Sequence, residues 1–352
     1  MFKNEERLKV LLISPLPPPT GGIATWTELF INSIQAKRNN VDVINTAIIG
    51  KRVKYLEKRG IIDEIKRTKS IYMKTSKYLN NGYDIVHINS ACSNFGMLRD
   101  YFCLKKARKN KSKTVVHFHC DTSYMVKGRF AKFIFKKICN DADKIFCLNQ
   151  SSETHVNCIA NKRSIRIPNF IDIKNIDIYP RNISERIKNI IYVGHINKSK
   201  GCMDFLSVAQ KMPDLNFKLI GKVNEEFKST LKPRNVQYCG EISKEGVLNQ
   251  MQSADLLLFP TYTEGFPNVI LEAMACGLTI ISTPVGAIPE MVEEKGGVLI
   301  DVGDIEGFVN AIENLQDAKT RRQMSIWNTE KVKKTYTLDI VIQQIFREYL
   351  NI

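Results

Sequence analysis

The chain contains no run of about 18 apolar residues, so no part of it is built to cross a bilayer as a helix. Its first apolar run, Leu8 to Ser14, is short, contains Lys9 and follows Glu5 and Glu6, so no secretory signal peptide is expected. None of the nine cysteines forms a C-x-x-C pair, and the odd number argues against a disulfide framework. Cys147 and Cys276 lie in apolar runs and read as small buried hydrophobes. A G-x-G-x-x-G dinucleotide fingerprint is missing. Zinc-finger, RNA-recognition and helix-turn-helix signatures are missing too, so nucleic-acid binding has only charge in its favour. These features predict a cytoplasmic protein.

What is present is an ordinary globular composition, 43% hydrophobic and 25% charged, over 352 residues. That length suits roughly two domains. The charge is lopsided. Residues 1–171 hold 31 Lys/Arg against 13 Asp/Glu, a balance of +18, while 172–352 hold 21 against 23, a balance of −2. A half-chain this basic attracts a polyanion or an anionic membrane surface.

Short apolar runs alternate with amphipathic helical stretches throughout. Lys9–Pro15, Val41–Ala47, Asp84–Ser90, Thr114–Cys120 and Lys144–Gln150 read as strands in the first half. Asn189–His195, Asn216–Lys222, Val236–Gly240, Asp255–Thr261, Thr279–Val285 and Gly297–Asp301 do so in the second. Their near-continuous apolar character is that of strands covered on both faces. Helices are expected over Ile23–Ala36, Gly128–Cys139 and Leu338–Ile352. The alternation predicts doubly wound parallel α/β sheets, with ligands at the carboxyl ends of the strands. The polar, irregular stretch between Pro168 and Lys188 reads as a linker. The boundaries expected are an N-terminal domain at 1–170, a linker at 171–187, a C-terminal domain at 188–337 and a closing helix at 338–352.

The densest chemical signal is Thr261–Glu272, TYTEGFPNVILE. A strand runs into a turn with Glu264 and Gly265, and Pro267 is placed to open a helix. The first turn of such a helix is an anion site, and Gly265 allows close backbone approach. Two carboxylates around a phosphate-binding helix start suit a sugar nucleotide, because carboxylates make strong, directional bonds to hydroxyls. Two solvated surface acids would share the same spacing.

This segment resembles the donor-site signature of the family-4 retaining glycosyltransferases. Glu264-GFPNVIL-Glu272-AMACG, followed by ISTPVGAIPEMV, matches their Glu-x7-Glu pattern over a long stretch. The resemblance implies a GT-B fold. In it, two Rossmann-like domains with parallel sheets face each other across a cleft, and a C-terminal helix packs back on the N-terminal domain. It implies a donor site built from Gly265, Phe266, Pro267, Asn268 and Val269, with Glu264 on the donor sugar and Glu272 on the ribose. Gly21 and Gly22, after a proline run, match the glycine pair that lets the N-terminal domain approach the donor diphosphate. IYVGHINKSKG matches the family's diphosphate-binding segment through Gly194 and Lys200, with His195 where arginine is usual. Lys200 is then a point charge on the leaving group, whereas a largely neutral histidine donates one hydrogen bond. His119 matches the acceptor-domain histidine, and Glu264, His119 and Lys200 are the expected catalytic residues.

His117 and His119 lie two apart on one strand, but no third ligand stands at zinc spacing. His87, one strand earlier, reads as a related residue. The D-x-D at Asp141–Asp143 reads as a helix-end turn, so no metal and no cofactor beyond the nucleotide-diphosphate sugar are expected. The expected reaction is retaining, metal-independent hexosyl transfer to a glycan or lipid-linked acceptor in bacterial surface polysaccharide synthesis (capsule, O-antigen, lipopolysaccharide or exopolysaccharide). A sugar-nucleotide epimerase or phosphorylase of the same fold is the alternative. The basic half is expected to hold the protein peripherally on the inner face of the cytoplasmic membrane. In GRFAKFIFKKI, Phe130, Phe133, Ile134 and Ile138 are placed on an apolar face and Arg129, Lys132 and Lys136 on a basic one. Arg99–Lys113 and Lys51–Gly60 add further cations.

Overall fold

The computed structural model describes residues 7–19, 21–47, 60–174, 176, 181–228 and 232–352. The basic stretch at 51–59 and Thr20 lie outside them. Contacts divide the chain into two units, Met1–Asn169 with Leu338–Ile352, and Phe170–Thr337. Each unit holds a six-stranded parallel sheet with helices.

The first unit begins β1 (Lys9–Ser14), α1 (Gly22–Asn32), α2 (Ile34–Arg38), β2 (Asn40–Asn45), α3 (Ile61–Leu79) and β3 (Ile85–Ser90). It continues α4 (Asn94–Lys109), β4 (Lys113–Phe118), α5 (Thr122–Met125), α6 (Arg129–Asp141), β5 (Lys144–Cys147), α7 (Gln150–Ala160) and β6 (Ile165–Arg166). The strand order is β2-β1-β3-β4-β5-β6. Val10 to Ile13 are all fully buried, as a strand sandwiched between helix layers requires. Right-handed crossovers put α3, α4, α6 and α7 on one face, where they pack in succession. The helix expected over Ile23–Ala36 is two, because Ser33 is extended and caps α2 through its hydroxyl, which accepts from Ala36 N at 3.2 Å.

The second unit runs β7 (Asn189–Val193), α8 (Cys202–Lys211), β8 (Asn216–Ile220), α9 (Glu225–Lys228), β9 (Val236–Gly240), α10 (Lys244–Ser253) and β10 (Leu256–Phe259). It continues α11 (Asn268–Ala275), β11 (Thr279–Ser282), α12 (Ile288–Gly296), β12 (Gly297–Leu299), α13 (Ile305–Asn314) and α14 (Ala318–Lys331). The sheet order is β12-β11-β10-β7-β8-β9. A π-turn, Val332–Tyr336, ends the unit.

The last helix, α15 (Leu338–Leu350), belongs to the first unit. Val341, Ile342 and Ile345 are buried, a contribution of about 1.5–3 kcal/mol each. Phe346 stacks on Phe30 at 5.8 Å, and Lys144 Nζ donates to Glu348 Oε2 at 2.6 Å.

The stretch read as a linker is tied to the second unit. Ile171 bridges to Thr337 and its N–H donates to Tyr336 O at 2.9 Å. Arg181 donates to carbonyls of Met251, Gln252 and Ala254 at the end of α10. Arg321, buried, donates to Leu315 O at 2.9 Å and Ser184 O at 2.7 Å. An irregular segment lying against a domain must have its backbone polar groups satisfied, and these arginines supply part of that. Arg321→Leu leaves carbonyls without donors inside the fold. A loss of about 2–4 kcal/mol is expected, read as a lowered calorimetric Tm of the second unit, and an unchanged Tm contradicts this assignment.

Candidate functional site

In the second unit the candidate residues gather at the carboxyl ends of β7 and β10. β10 ends at Phe259, and the chain turns through Thr261–Pro267 into α11. Pro267 is the cap residue rather than the first helical one, since α11 starts at Asn268. The extended backbone of Pro267 (φ −74°, ψ 116°) ends the turn just before the helix. Two glycines shape this turn from outside. A Cβ on Gly286 (φ +58°) would lie 2.1 Å from Glu264 O, and Ala287 N donates to Gly265 O at 3.0 Å. A Cβ on Gly201 (φ +69°) would lie 1.7 Å from Pro260 O, so only glycine lets the β7 loop come this close to the end of β10.

That close approach delivers Lys200. Residues Lys198–Lys200 form a short 3-10 turn capped by Asn197, whose Oδ1 accepts from Lys200 N at 3.0 Å. Lys200 Nζ donates to Glu264 Oε1 at 2.6 Å and to Thr263 O at 3.0 Å. Burial raises the Glu264 carboxyl above its ordinary range, while Lys200, Thr261 and His195 pull it back toward ionisation. His195 follows Gly194 at the end of β7. Its side chain is exposed and acts on Glu264 electrostatically, and its carbonyl accepts from Tyr192 Oη at 3.0 Å. Glu272, in the second turn of α11, is also raised by burial, with Lys244 as the opposing charge. The unit therefore brings together Gly194, His195, Lys200, Glu264, the turn Gly265–Val269 and Glu272. This is a mixed-charge site at a helix start, able to exchange a carboxylate for a phosphate on Lys200.

In the first unit Gly21 and Gly22 begin α1, exposed, with open space where a Cβ would stand. The same helix carries Trp26, whose ring meets His119 edge-on at 5.1 Å. His119 follows the end of β4, and its N–H donates to Ser90 O at 2.8 Å. Its ring lies 4.0 Å from that of His117, which lies 5.6 Å from His87. His87 Nδ1 meets Tyr349 Oη of α15 at 2.5 Å. Burial drives His87 and His119 down to about 3 and His117 well below its ordinary value. Among the described residues no group of three or more His, Cys, Asp or Glu is arranged to hold a metal ion. Asp143 is structural, its Oδ2 accepting from Thr114 N at 2.8 Å and Thr114 Oγ1 at 2.7 Å.

Residues 187–318 match the family described as Glycosyl transferases group 1. An uncharacterized glycosyltransferase of Methanocaldococcus jannaschii is 26% identical over 93% of this chain and 91% of its own. The N,N'-diacetylbacillosaminyl-diphospho-undecaprenol alpha-1,3-N-acetylgalactosaminyltransferase of Campylobacter jejuni is 26% identical over 62% of this chain and 54% of its own. Among solved structures, an Anabaena protein in complex with UDP and glucose superposes with a TM-score of 0.71 at 15% identity, covering 98% of this chain and all of that one. Residues 187–318 carry the group 1 glycosyltransferase match, and the chain has the fold of GT-B glycosyltransferases. A Bacillus subtilis glycosyltransferase named for teichuronic acid biosynthesis is 25% identical over 42% of this chain and 36% of its own.

Two aromatic residues of the transferase stand beside these candidates without any local sequence signal. Tyr349 orients His87 from the last helix. Tyr336, buried in the π-turn, meets the Phe266 ring edge-on at 5.7 Å and so ties the Glu264–Asn268 turn to the end of the unit. Both contacts are long-range, which is why neighbouring residues in sequence do not announce them.

The histidine column sets a pH dependence for the transferase's stability. Folded His87 and His119 stay neutral down to about pH 3, while unfolded histidines take up protons below about 6.5. Their folded values are depressed, so stability is fully present above pH 6.5 and is lost as pH falls from there toward 3. The limiting slope is about 1.4 kcal/mol per pH unit per histidine. His117→Gln should reduce the slope of urea-unfolding free energy between pH 6.5 and 5, and an identical slope contradicts the assignment.

Proposed function

We propose that the enzyme moves a hexosyl group from a nucleotide-diphosphate sugar to a lipid-linked glycan, with retained anomeric configuration and without a metal ion. The observation that carries this reading is the Lys200–Glu264 pair, 2.6 Å apart at the start of α11. In the proposed cycle the donor diphosphate takes over Lys200 and the positive end of α11. Glu264, released from Lys200, accepts hydroxyls of the sugar, and Glu272 accepts from the ribose. Lys200 then offsets charge developing on the leaving phosphate, which is where an electrostatic contact accelerates transfer. Retention suits front-face attack, in which a leaving phosphate oxygen takes the acceptor's proton. His119, held neutral, positions the reacting end of the acceptor by hydrogen bonding. The Campylobacter relative is named for an undecaprenol-linked acceptor, which supports a lipid-linked substrate here, and such a substrate places the enzyme at the inner face of the cytoplasmic membrane.

Thermal-shift screening of nucleoside diphosphates and their sugars identifies the donor, since a ligand that binds the native state raises its apparent stability. Lys200→Ala and Glu272→Ala should each lower kcat/KM by about a hundredfold or more with an unchanged circular dichroism spectrum. Full activity in both sinks the site assignment, and isomerisation of the donor without acceptor favours an epimerase instead. Tyr336→Ala should raise the donor KM about three- to tenfold more than it changes kcat, because the Glu264–Asn268 turn loses its ring support. Tyr336→Phe should restore it, and equal effects of the two substitutions exclude that role.

A further inference from the structure

The helix layer formed by α3, α4 and α6 carries its own apolar outer surface. On α6 the buried side is Ala131, Ile134, Phe135, Ile138 and Cys139. Phe130 and Phe133, placed by their spacing on one apolar face with Ile134 and Ile138, are instead 60% and 57% exposed while the two isoleucines are buried. The helix is apolar on two sides, and packing takes the one that lacks charges. Phe133 stands at the crest of the outer side between Arg129, Lys136 and Lys137, with Lys137 Nζ 5.6 Å from its ring centre. α3 repeats the arrangement. Ile71, Thr75 and Leu79 face inward. Ile62, Ile65 and Met73, each more than half exposed, face outward around Lys66, Lys69 and Lys77. Between them α4 presents Phe102, 45% exposed, beside Lys105 and Lys109. Acids of these helices are already engaged, in Arg67–Glu64, Arg99–Asp100 and Lys105–Asp141 pairs. The outer surface is left with apolar tips in a field of cations.

We propose that this α3–α4–α6 surface docks on an anionic lipid bilayer, with Phe133, Phe130, Ile62 and Ile65 entering the headgroup–acyl boundary and the surrounding lysines on lipid phosphates. Charge complementarity selects the partner. Lysine and arginine stems lie along apolar surface while their heads stay at the polar level, and exposed isoleucines gain nothing from a nucleic acid backbone. Each basic residue near an anionic leaflet raises binding about fivefold, and buried apolar side chains add to this in the way of interfacial helices. The surface shares with the proposed function the lipid-linked acceptor and its membrane, and it stands on exposure and charge whatever the donor site does.

Flotation of the full chain with phosphatidylglycerol-rich and with pure phosphatidylcholine vesicles tests this. Wild type should float with the anionic vesicles and far less with the neutral ones. Phe130→Ser/Phe133→Ser should lower the partition coefficient at least about tenfold, and Ile62→Ser/Ile65→Ser serves as an independent variant on another helix. The nucleoside-diphosphate thermal shift should be unchanged in both. No flotation, flotation indifferent to both apolar variants, or release by RNA that is equally effective in both variants overturns the docking surface. Wild type that fails to bind vesicles but keeps its thermal shift overturns docking alone. A missing thermal shift in wild type with retained flotation overturns the donor reading alone.

Discussion

A parallel strand buried on both faces has no room for chemistry along its length. Val10–Ile13 and Leu256–Phe259 are almost wholly out of solvent, and their side chains are used up by packing. Every functional group must therefore sit where the strands stop. This constraint explains why Gly194–His195, the Thr261–Pro267 turn and His119 all follow strand ends. It also explains the glycines. Loops from neighbouring strands converge on the same edge of the sheet, so their backbones come closer than a Cβ allows. Gly201 against Pro260, Gly221 against Gly194 and Gly286 against Glu264 are such approaches around the site.

Convergence has an electrostatic consequence. Glu264 is carried into a place where burial disfavours its charge, and Lys200 arrives on the loop that Gly201 permits. A half-buried pair of this kind gains modestly over two solvated ions, but removing one member strands the other. Its value lies in exchange. On the proposed cycle, a lysine kept for a diphosphate needs a counter-charge while no phosphate is bound, and the carboxylate proposed to face sugar hydroxyls serves without adding a residue. The ion pair thus gives one physical reason for Glu264 and Lys200 to lie 64 residues apart in sequence and 2.6 Å apart in space.

How far the sequence could be read follows from the range of the forces involved. Strand positions and the Glu264–Glu272 motif were legible because apolar runs, a turn glycine and a helix start are local. Strand ends were read too long, as at Asn189–His195, where β7 stops at Val193, because a ladder's length is set by the partner strand, here ending at Ile220, and not by the run itself. The outward position of Phe130 and Phe133 was not legible. A 3.6-residue period shows that a helix has an apolar stripe, yet α6 has apolar residues on two sides, and its neighbours α4 and α7 decide which is covered. Tyr336 on Phe266, Tyr349 on His87 and Arg321 on Ser184 were equally hidden, being contacts between segments that no local pattern connects.

The unequal charge of the two halves bears on the histidines as well as on the membrane. Protonating His117 or His119 adds a cation to the interior of a unit that already carries a large positive excess. Desolvation is the larger effect on both, and repulsion among His87, His117 and His119 reinforces it. Lysines on the outer surface of α3 and α6 are screened by solvent and contribute little at this depth. The same unit can therefore be strongly basic where it meets solvent and neutral at the end of β4. Outside, the charge suits the proposed anionic surface, which needs no shaped pocket. Inside, burial keeps His119 neutral, the state in which an imidazole can both donate and accept a hydrogen bond. Packing Trp26 and His117 around His119 is what separates the two environments, so the aromatic column is as much an electrostatic device as a core.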